Sequence, residues 1–303
     1  MKKILAVIMT VALFALTLSG CSMESGMEGG GSGDGNSIGL SVSTLNNPFF
    51  VSVRDGVKAE AEKEGIELNI ADAQNDSAKQ INDVDDLIQR GVSLLIINPV
   101  DSAAISSAVE AANAANIPVI TLDRSADSGE VVALVASDNV KGGEMAAEYI
   151  VSKLGEGAKV AELEGIPGAS ATRERGEGFH KIADEKLEVV AKQAADFDRT
   201  KGLTVAENIL QGNPDVQAIF AQNDEMALGA IEAAQAAGKD IMIIGFDGNE
   251  DGLKAVEDGR MAATIAQQPE LMGQLSIQTA VKVLNGEKVD DMVPVELKLV
   301  EKE

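Results

Sequence analysis

Short apolar runs alternate with amphipathic stretches of 12–17 residues from Ile38 onward. The stretches predict helices because their apolar residues recur three and four positions apart, and the short runs predict strands. Strand–helix–strand alternation favours parallel sheets connected by crossover helices. The ten predicted strands cover residues 38–42, 67–72, 94–98, 118–123, 131–136, 159–163, 188–193, 218–222, 241–246 and 262–266.

The same plan occurs twice along the chain, because landmark residues of the first half recur in the second half. Offsets of 122, 125 and 124 residues separate the landmarks Gly56 and Gly178, Asn98 and Asn223, and Asp123 and Asp247. So long a period argues against a solenoid of short repeats. The predicted fold class is therefore α/β, with two similar doubly wound parallel-sheet lobes.

Polar side chains stand at the carboxyl ends of predicted strands in both halves, at Asn98, Asp123, Asn223 and Asp247. Ligands of doubly wound sheets bind beyond these strand ends, so two facing lobes would bring the four side chains to one cleft. Each could instead be only a turn former or a helix cap. The matched positions favour a cleft, since capping alone requires no shared offset.

Aromatic rings are predicted at the same cleft. Phe49 and Phe50 stand side by side in the segment that follows the first strand, and Phe197 follows a strand of the second half. Core packing is the more usual fate of phenylalanine. Flat rings in a cleft can nevertheless pack against the C–H faces of a sugar ring.

The charges predicted at the cleft balance, because Asp123 and Asp247 are matched by Arg124 and Arg175. Buried charges are costly unless each is paired or hydrogen-bonded. A neutral polyol satisfies such a set, because each hydroxyl can donate to a carboxylate and accept from a guanidinium or an amide. A phosphorylated ligand would favour excess positive charge and a glycine-rich nest, and neither is visible.

Several segments resemble the sugar-binding proteins of bacterial ABC importers, and among them the ribose-binding proteins. The most specific are STLNNPFF, ASDNV-GG, RERGEGF, ADFDR-KG, VQAIFAQNDEMALGA, GFDG and AATIAQ, and the similarity extends over 38–303. The resemblance implies a receptor for D-ribose that serves an importer permease, with no cofactor or metal, as a monomer. It implies ribose contacts from Ser43, Asn47, Phe49, Phe50, Asn98, Asp123, Arg124, Arg175, Phe197, Asn223, Phe246, Asp247 and Gln267.

The resemblance also implies that each lobe is discontinuous, with a hinge of three chain crossings near 137–138, 267–268 and 296–297. The amino-terminal lobe would comprise 38–137 plus 268–296, and the carboxyl-terminal lobe 138–267 plus 297–303. Hinge motion would then close the lobes over the ligand. A permease could thereby distinguish a loaded receptor from an empty one.

The amino terminus carries the pattern of an exported lipoprotein. Lys2 and Lys3 precede an uncharged apolar run over 4–18, which is too short for a typical transmembrane helix. The run ends in Leu-Ser-Gly-Cys, which resembles a lipobox and implies cleavage after residue 20 and lipidation of Cys21. We therefore expect a signal peptide over 1–20, a glycine-rich tether over 21–37 and a lipid anchor on the outer face of the cell membrane.

Composition excludes other classes of protein. The net charge of −24 disfavours binding to nucleic acid, and the single cysteine cannot form an internal disulfide. Where a sugar-responsive repressor would need a basic helix-turn-helix, the chain has a signal peptide and a tether. His180 is the only histidine and lies on a predicted helix, so a Ser-His-Asp triad is disfavoured.

Four readings stay open beside an importer receptor for ribose. Asp123 and Asp247 could form a glycosidase pair, although we expect their arginine neighbours to lower the carboxyl pKa values and so disfavour a general acid. Residues 247–258 imitate part of a calcium-binding loop, although they follow a strand. The ligand could be allose or a furanose signal molecule. A sensor that presents sugar to a chemoreceptor would use the same site.

Overall fold

All ten predicted strands are present in the computed structural model, which describes residues 37–302. Two further strands follow near the carboxyl terminus. The first sheet contains β1 (Ser37–Val42), β2 (Glu67–Asp72), β3 (Leu94–Ile97), β4 (Val119–Leu122), β5 (Ala133–Ser137) and β11 (Met292–Val295). The second contains β6 (Lys159–Glu164), β7 (Glu188–Ala194), β8 (Ala218–Ala221), β9 (Met242–Asp247), β10 (Ala263–Ala266) and β12 (Lys298–Glu301).

The two six-stranded sheets have the same strand order. The first runs β11-β5-β4-β3-β1-β2 and the second β12-β10-β9-β8-β6-β7. All neighbouring strands pair in parallel except β10 and β12, which are antiparallel. In both sheets the strand order reverses beside the first strand of the lobe, which is the doubly wound arrangement. The α/β fold class with two similar lobes is confirmed.

Nine helices connect and cover these strands within residues 37–302. They are α1 (Pro48–Glu64), α2 (Ser77–Gln89), α3 (Ser106–Ala114), α4 (Asn139–Leu154), α5 (Ser170–Lys186), α6 (Arg199–Gly212), α7 (Asp224–Ala236), α8 (Glu250–Glu257) and α9 (Pro269–Leu284). None of them has the length and apolar character needed to cross a membrane. Asp76 and Asp198 cap α2 and α6 at equivalent places in the two lobes.

The chain passes between the two sheets three times. It leaves the first sheet after β5, returns from β10 to α9, which packs on α1, and crosses again between β11 and β12. The sequence prediction omitted β11 and β12, because each has only four residues and lacks a buried face with clear alternation. Pro294 within β11 is tolerated because that strand lies at the edge of its sheet.

Glycines allow two equivalent helix pairs to pack closely. A Cβ atom at Gly56 of α1 would overlap the carbonyl oxygen of Glu270 in α9, and one at Gly178 of α5 would overlap that of Val140 in α4. The repeated glycine landmark therefore marks a close helix–helix contact in each lobe. These contacts fix α1 and α5 over the strand ends at which the candidate site lies.

Candidate ligand-binding site

A small cavity lined by buried side chains lies between the carboxyl ends of the two sheets. Nine of the predicted site residues line it, together with Ala171, which the sequence analysis missed. The predicted residues are Asn47, Phe49, Phe50, Asp123, Arg124, Arg175, Phe197, Asn223 and Asp247.

Two aspartates occupy equivalent strand ends in the two lobes. Asp123 follows β4 and Asp247 ends β9, and both have positive backbone φ angles, of 64° and 116°. Residues other than glycine seldom adopt such angles, and they occur where the surrounding structure enforces them. Both carboxylates border the cavity. The matched backbone therefore aims one acidic group from each lobe at the same space.

Each lobe also supplies one arginine. Arg124 donates from Nη1 to the carbonyl oxygen of Pro99 at 2.9 Å, and its Nε lies 3.6 Å from Asp123 Oδ2. Arg175 donates from Nε to Asn139 Oδ1 at 2.8 Å, and its Nη1 lies 3.7 Å from Asp247 Oδ1. The cavity walls therefore carry two ion pairs and no net charge.

Aromatic rings hold the guanidinium groups in place. Arg124 lies 5.1 Å from the ring centre of Phe50 and 5.2 Å from that of Phe197. Arg175 lies 3.7 Å from the ring centre of Phe246. Phe49 and Phe50 meet edge to face at 5.2 Å. Both are buried at the start of α1, where both line the cavity.

Two asparagines both cap a helix and line the cavity, and for Asn223 the sequence analysis had treated these roles as alternatives. The side chain of Asn47 caps α1 by accepting from the Phe49 amide at 2.9 Å. That of Asn223 caps α7 by accepting from the Met226 amide at 2.9 Å. Both nevertheless line the cavity. A capping oxygen that faces the helix leaves the amide nitrogen of the same side chain available for other contacts.

Four predicted contact residues, Ser43, Asn98, Phe246 and Gln267, lie behind the cavity walls. Asn98 accepts from the Ser43 amide at 3.1 Å and donates to Asp123 Oδ2 at 3.4 Å. Gln267 donates to Asp247 Oδ1 at 3.0 Å, and Phe246 stacks on the Arg175 guanidinium. These side chains support residues of the wall.

Polar atoms near the cavity lack partners within the described part of the chain. They are Ser43 Oγ, Arg124 Nε and Gln267 Oε1, all of which are buried. Most buried polar groups in proteins have a hydrogen-bond partner. Three unpartnered groups beside one cavity are therefore consistent with a site that recognises a polar molecule.

Burial raises the pKa of both cavity aspartates. The pKa of Asp123 is raised, and that of Asp247 is raised well above its ordinary value, because removing a carboxylate from water outweighs the opposing effect of Arg124 and Arg175. Burial also lowers the pKa of Arg124 to about 10. The arginines do lower the aspartate pKa values, as expected, but the net direction was predicted wrongly because the sequence does not reveal the extent of burial.

A further correction concerns the repeat itself. In the first sheet Ser41 pairs with Ile97, and in the second Leu163 pairs with Ala221. The residue that follows β3 is Asn98, whereas the residue that follows β8 is Gln222. Gln222 is therefore the structural counterpart of Asn98, and Asn223 follows it by one position.

A family comparison decides what kind of protein this is. Residues 38–288 match the model of the periplasmic binding protein domain. The chain belongs to the periplasmic binding protein family. This family membership agrees with the two lobes, with the small cavity between their strand ends and with the resemblance seen in the sequence.

Three relatives of this periplasmic binding protein extend the comparison. The ribose import binding protein of Bacillus subtilis is 62% identical over 303 residues, which cover 99% of each chain. That of Escherichia coli is 56% identical and covers 100% of this chain and 99% of its own. The D-allose-binding periplasmic protein of Escherichia coli is 35% identical and covers 86% of this chain and 88% of its own.

Two solved structures have the same fold as this periplasmic binding protein. A myo-inositol binding protein from Caulobacter, bound to myo-inositol, has a TM-score of 0.84 at 33% identity and covers 88% of this chain and 93% of its own. An ABC transporter solute binding protein from Mycobacterium smegmatis, with bound glycerol, has a TM-score of 0.85 at 39% identity and covers 88% and 94%. The family consists of binding proteins, so this chain is not an enzyme.

Sequence reasoning missed supporting residues of this periplasmic binding protein. Asn139 holds Arg175 Nε, but an asparagine at the start of a predicted helix reads as a cap. The backbone carbonyl of Gln222 accepts from Arg175 Nη1 at 2.6 Å. Such a contact cannot be predicted from residue type, because every residue has a backbone carbonyl. Ala171 has no polar group that could mark it. Within residues 37–302 no three His, Cys, Asp or Glu side chains are grouped to hold a metal ion.

Proposed function

We propose that this chain is an extracytoplasmic receptor that captures D-ribose between its two lobes and delivers it to an ABC importer. The observation that carries the proposal is the small cavity whose walls combine two carboxylates, two guanidiniums and aromatic rings. A neutral sugar satisfies these groups without adding charge. The 62% identity to a ribose import binding protein supports ribose as the sugar.

The nine lining residues would contact the sugar directly. Phe49 and Phe50 would pack on one face of the ring and Phe197 on the other, because aromatic faces pack well against C–H groups. The carboxylates of Asp123 and Asp247 would accept from ring hydroxyls, which is a charge-assisted hydrogen bond. The other predicted contacts, Ser43, Asn98, Phe246 and Gln267, adjoin these residues and would complete the site.

Closure of the lobes would bury the sugar and create the shape that a permease recognises. We assign 38–137 plus 268–296 to the amino-terminal lobe and 138–267 plus 297–303 to the carboxyl-terminal lobe. The three chain passages between them would absorb the hinge motion. A ligand shifts such an equilibrium only by binding one state more tightly, and a sugar that contacts both lobes does so.

Export and a lipid anchor would place the receptor on the outer face of the cell membrane. The signal peptide over 1–20, Cys21 and most of the tether over 21–37 lie outside the described residues. The protein would act as a monomer that requires no cofactor. The alternative role, in which the protein presents sugar to a chemoreceptor, would use the same cavity.

Calorimetric titration with six sugars tests the proposed ligand. We expect D-ribose to bind with one site per chain and D-allose to bind more weakly, because allose carries one more carbon and one more hydroxyl into a small cavity lined by buried side chains. Xylose, arabinose, galactose and glucose place their hydroxyls differently and serve as controls. Tighter binding of allose than of ribose would change the assigned sugar, and heat from none of the six would overturn the proposal.

Cell fractionation tests the proposed anchor. Replacing Cys21 with Ser removes the only thiol in the chain, and the protein should then move from the membrane fraction to the soluble fraction. Ser32→Ala, a change within the same tether, should leave the protein with the membrane. Retention of the Cys21→Ser variant in the membrane fraction would contradict lipidation at this residue.

A further inference from the structure

A buried carboxylate in the carboxyl-terminal lobe has no counterpart in the other lobe. Glu162 lies in the middle of β6, and its side chain is fully buried. It pairs with Phe220, as Leu40 of β1 pairs with Ile96 in the first sheet. Leu40 belongs to an ordinary apolar core. The fold therefore accommodates an apolar residue at this position, and the carboxylate at Glu162 calls for another explanation.

One oxygen of Glu162 faces the outer surface of the lobe. Its Oε2 accepts from His180 Nε2 at 3.0 Å, and His180 Nδ1 lies 2.6 Å from Asp184 Oδ1. Because both ring nitrogens face carboxylate oxygens, this geometry favours the positively charged ring that carries a proton on each nitrogen. The hydrogen bond to Glu162 is the main reason that the pKa of His180 is raised to about 9.

The other oxygen of Glu162 is bound to Gln222. Its Oε1 accepts from Gln222 Nε2 at 2.8 Å, and the same nitrogen donates to the Thr172 carbonyl at 3.2 Å. Gln222 Oε1 accepts from the Gly165 amide at 3.0 Å. The Gln222 side chain therefore has both ends engaged, and Glu162 determines which way its amide faces.

Gln222 in turn holds two parts of the cavity wall. Its backbone carbonyl accepts from Arg175 Nη1 at 2.6 Å. The Gly165 turn that it anchors lies against Phe197, because a Cβ atom at Gly165 would overlap the Phe197 ring. Arg175 and Phe197 both line the cavity, so a continuous chain of contacts joins His180 to the predicted sugar contacts.

We propose that Asp184, His180, Glu162 and Gln222 form a positioning network that fixes Arg175 and the Gly165 turn beside Phe197 for sugar binding. The inference rests on the proposed function, and it adds residues that contact no sugar. Its consequence is reciprocal: if the network favours binding when His180 is protonated, bound sugar must favour the protonated ring to the same extent.

Other charged groups lie near His180 and contribute to the electrostatic environment in which its ring titrates. Glu164 of β6 and Lys192 of β7 border the same surface groove, as do Arg173 and Glu177 of α5. Lys192 is paired with Glu164 at 3.1 Å. Glu162 and Asp184 are the two groups that hydrogen-bond to the ring, so they should dominate its response.

The single histidine makes the test direct, because the ring protons of His180 give one unambiguous set of NMR signals. The ring should be titrated in the purified protein from pH 6 to 10.5 with and without saturating D-ribose. We expect ribose to raise the titration midpoint, and the Kd measured by calorimetry to rise at least twofold between pH 7 and 9.5. An unchanged midpoint together with a flat Kd would overturn the network.

Variants separate the network from its surroundings. Glu162→Gln should lower the His180 midpoint towards 6.5, abolish its response to ribose and weaken ribose binding several-fold at pH 7. In the His180→Gln variant, Kd should no longer rise between pH 7 and 9.5. Any rise that persists in this variant reports the titration of other groups, such as Arg124. Lys58→Gln, at the position equivalent to His180 in the other lobe, is the matched control and should bind like the wild type.

The outcomes distinguish the two proposals. Absence of ribose binding by the wild type would contradict the proposed function itself. Normal ribose binding by the wild type, combined with unaltered Kd in both folded variants, would contradict the network alone. Thermal unfolding of each variant verifies that it is folded, and the wild-type titration decides the question even if Glu162→Gln does not fold.

Discussion

The two lobes share a backbone plan but do not supply all charged residues of the cavity from equivalent positions. The aspartates are true counterparts, since Asp123 and Asp247 follow equivalent strands with the same unusual backbone sign. The arginines are not, because Arg124 follows its aspartate along the chain whereas Arg175 projects from α5. The position equivalent to Arg175 in α1 is Val53, a core residue. The two lobes therefore share a scaffold but place their charged cavity residues asymmetrically.

Each lobe nevertheless contributes one carboxylate and one guanidinium. Asp123 with Arg124 and Asp247 with Arg175 are separate pairs on the two sides of the cavity. Each wall is therefore close to neutral by itself, and each carboxylate also attracts the arginine of the opposite lobe. The same comparison predicts which substitutions affect both lobes alike and which affect one.

The largest effect is expected from Asp247→Ala. Removing this carboxylate leaves Arg175 without its ionic partner and Gln267 Nε2 without its acceptor. The sugar would also lose its charge-assisted hydrogen bonds to this carboxylate, which together with the unpaired Arg175 should cost several kcal/mol of binding free energy. Ribose affinity should therefore fall by more than about a hundredfold in calorimetry. Asp240→Ala, an exposed change in the same lobe, is the control. Near-native affinity of Asp247→Ala would contradict the assigned role of this residue.

Gly56→Ala and Gly178→Ala should destabilise the two lobes similarly. In each case the new methyl group would overlap a backbone carbonyl of the neighbouring helix, and overpacking costs about 1–3 kcal/mol. Gly212→Ala, at the end of α6, meets no atom within 4 Å and should be tolerated. Free energies of unfolding from urea titration measure the effect. A large loss in one lobe only would show that the close helix contact is not shared.

Phe197→Ala should weaken ribose binding by about 1–3 kcal/mol, because a ring that lines the cavity is lost. Asn75 is its counterpart in the first lobe and has the same backbone conformation, with φ angles of 60° at both residues. Asn75→Ala therefore reproduces the backbone cost without removing a ring. Equal losses of affinity in the two variants would rule out a stacking role for Phe197.

The smallest effect concerns the pH dependence of stability. The pKa of His180 is raised from 6.5 to about 9 in the folded protein, so its pairing stabilises the fold fully below pH 6.5. This contribution is lost as the pH rises through 9. The difference in thermal midpoint between wild type and His180→Gln should therefore shrink from pH 6 to pH 10. Lys58→Gln should show no such trend, and a constant difference for His180→Gln would contradict the assignment.

The features that leave a repeat or a periodic pattern in the sequence could be predicted from it. The ten main strands, the two lobes and the aromatic residues at the cavity were all predicted, because buried strands and matched strand ends leave a regular pattern. The edge strands β11 and β12 were missed because four-residue, partly exposed segments carry little pattern. The pKa direction at Asp123 was predicted wrongly because burial is a property of the assembled lobes.

Single-residue details of the site were also beyond sequence reasoning. Asn98 was matched with Asn223 on residue type, whereas strand register matches it with Gln222. Glu162 lay within a predicted strand, but a carboxylate there indicates an exposed face unless its partners are known. His180 and Gln222 supply those partners from two other elements. Such contacts depend on tertiary packing, which one sequence does not contain.

A crystal structure of the protein with D-ribose tests the central claim most directly. The account predicts one ribose molecule in the cavity, with Phe197 on one face and with hydroxyls hydrogen-bonded to both Asp123 and Asp247. Contacts should come from both lobes, and the positions of Arg124 and Arg175 should match those described above. Ribose bound on another surface, or held by residues of one lobe alone, would contradict the account.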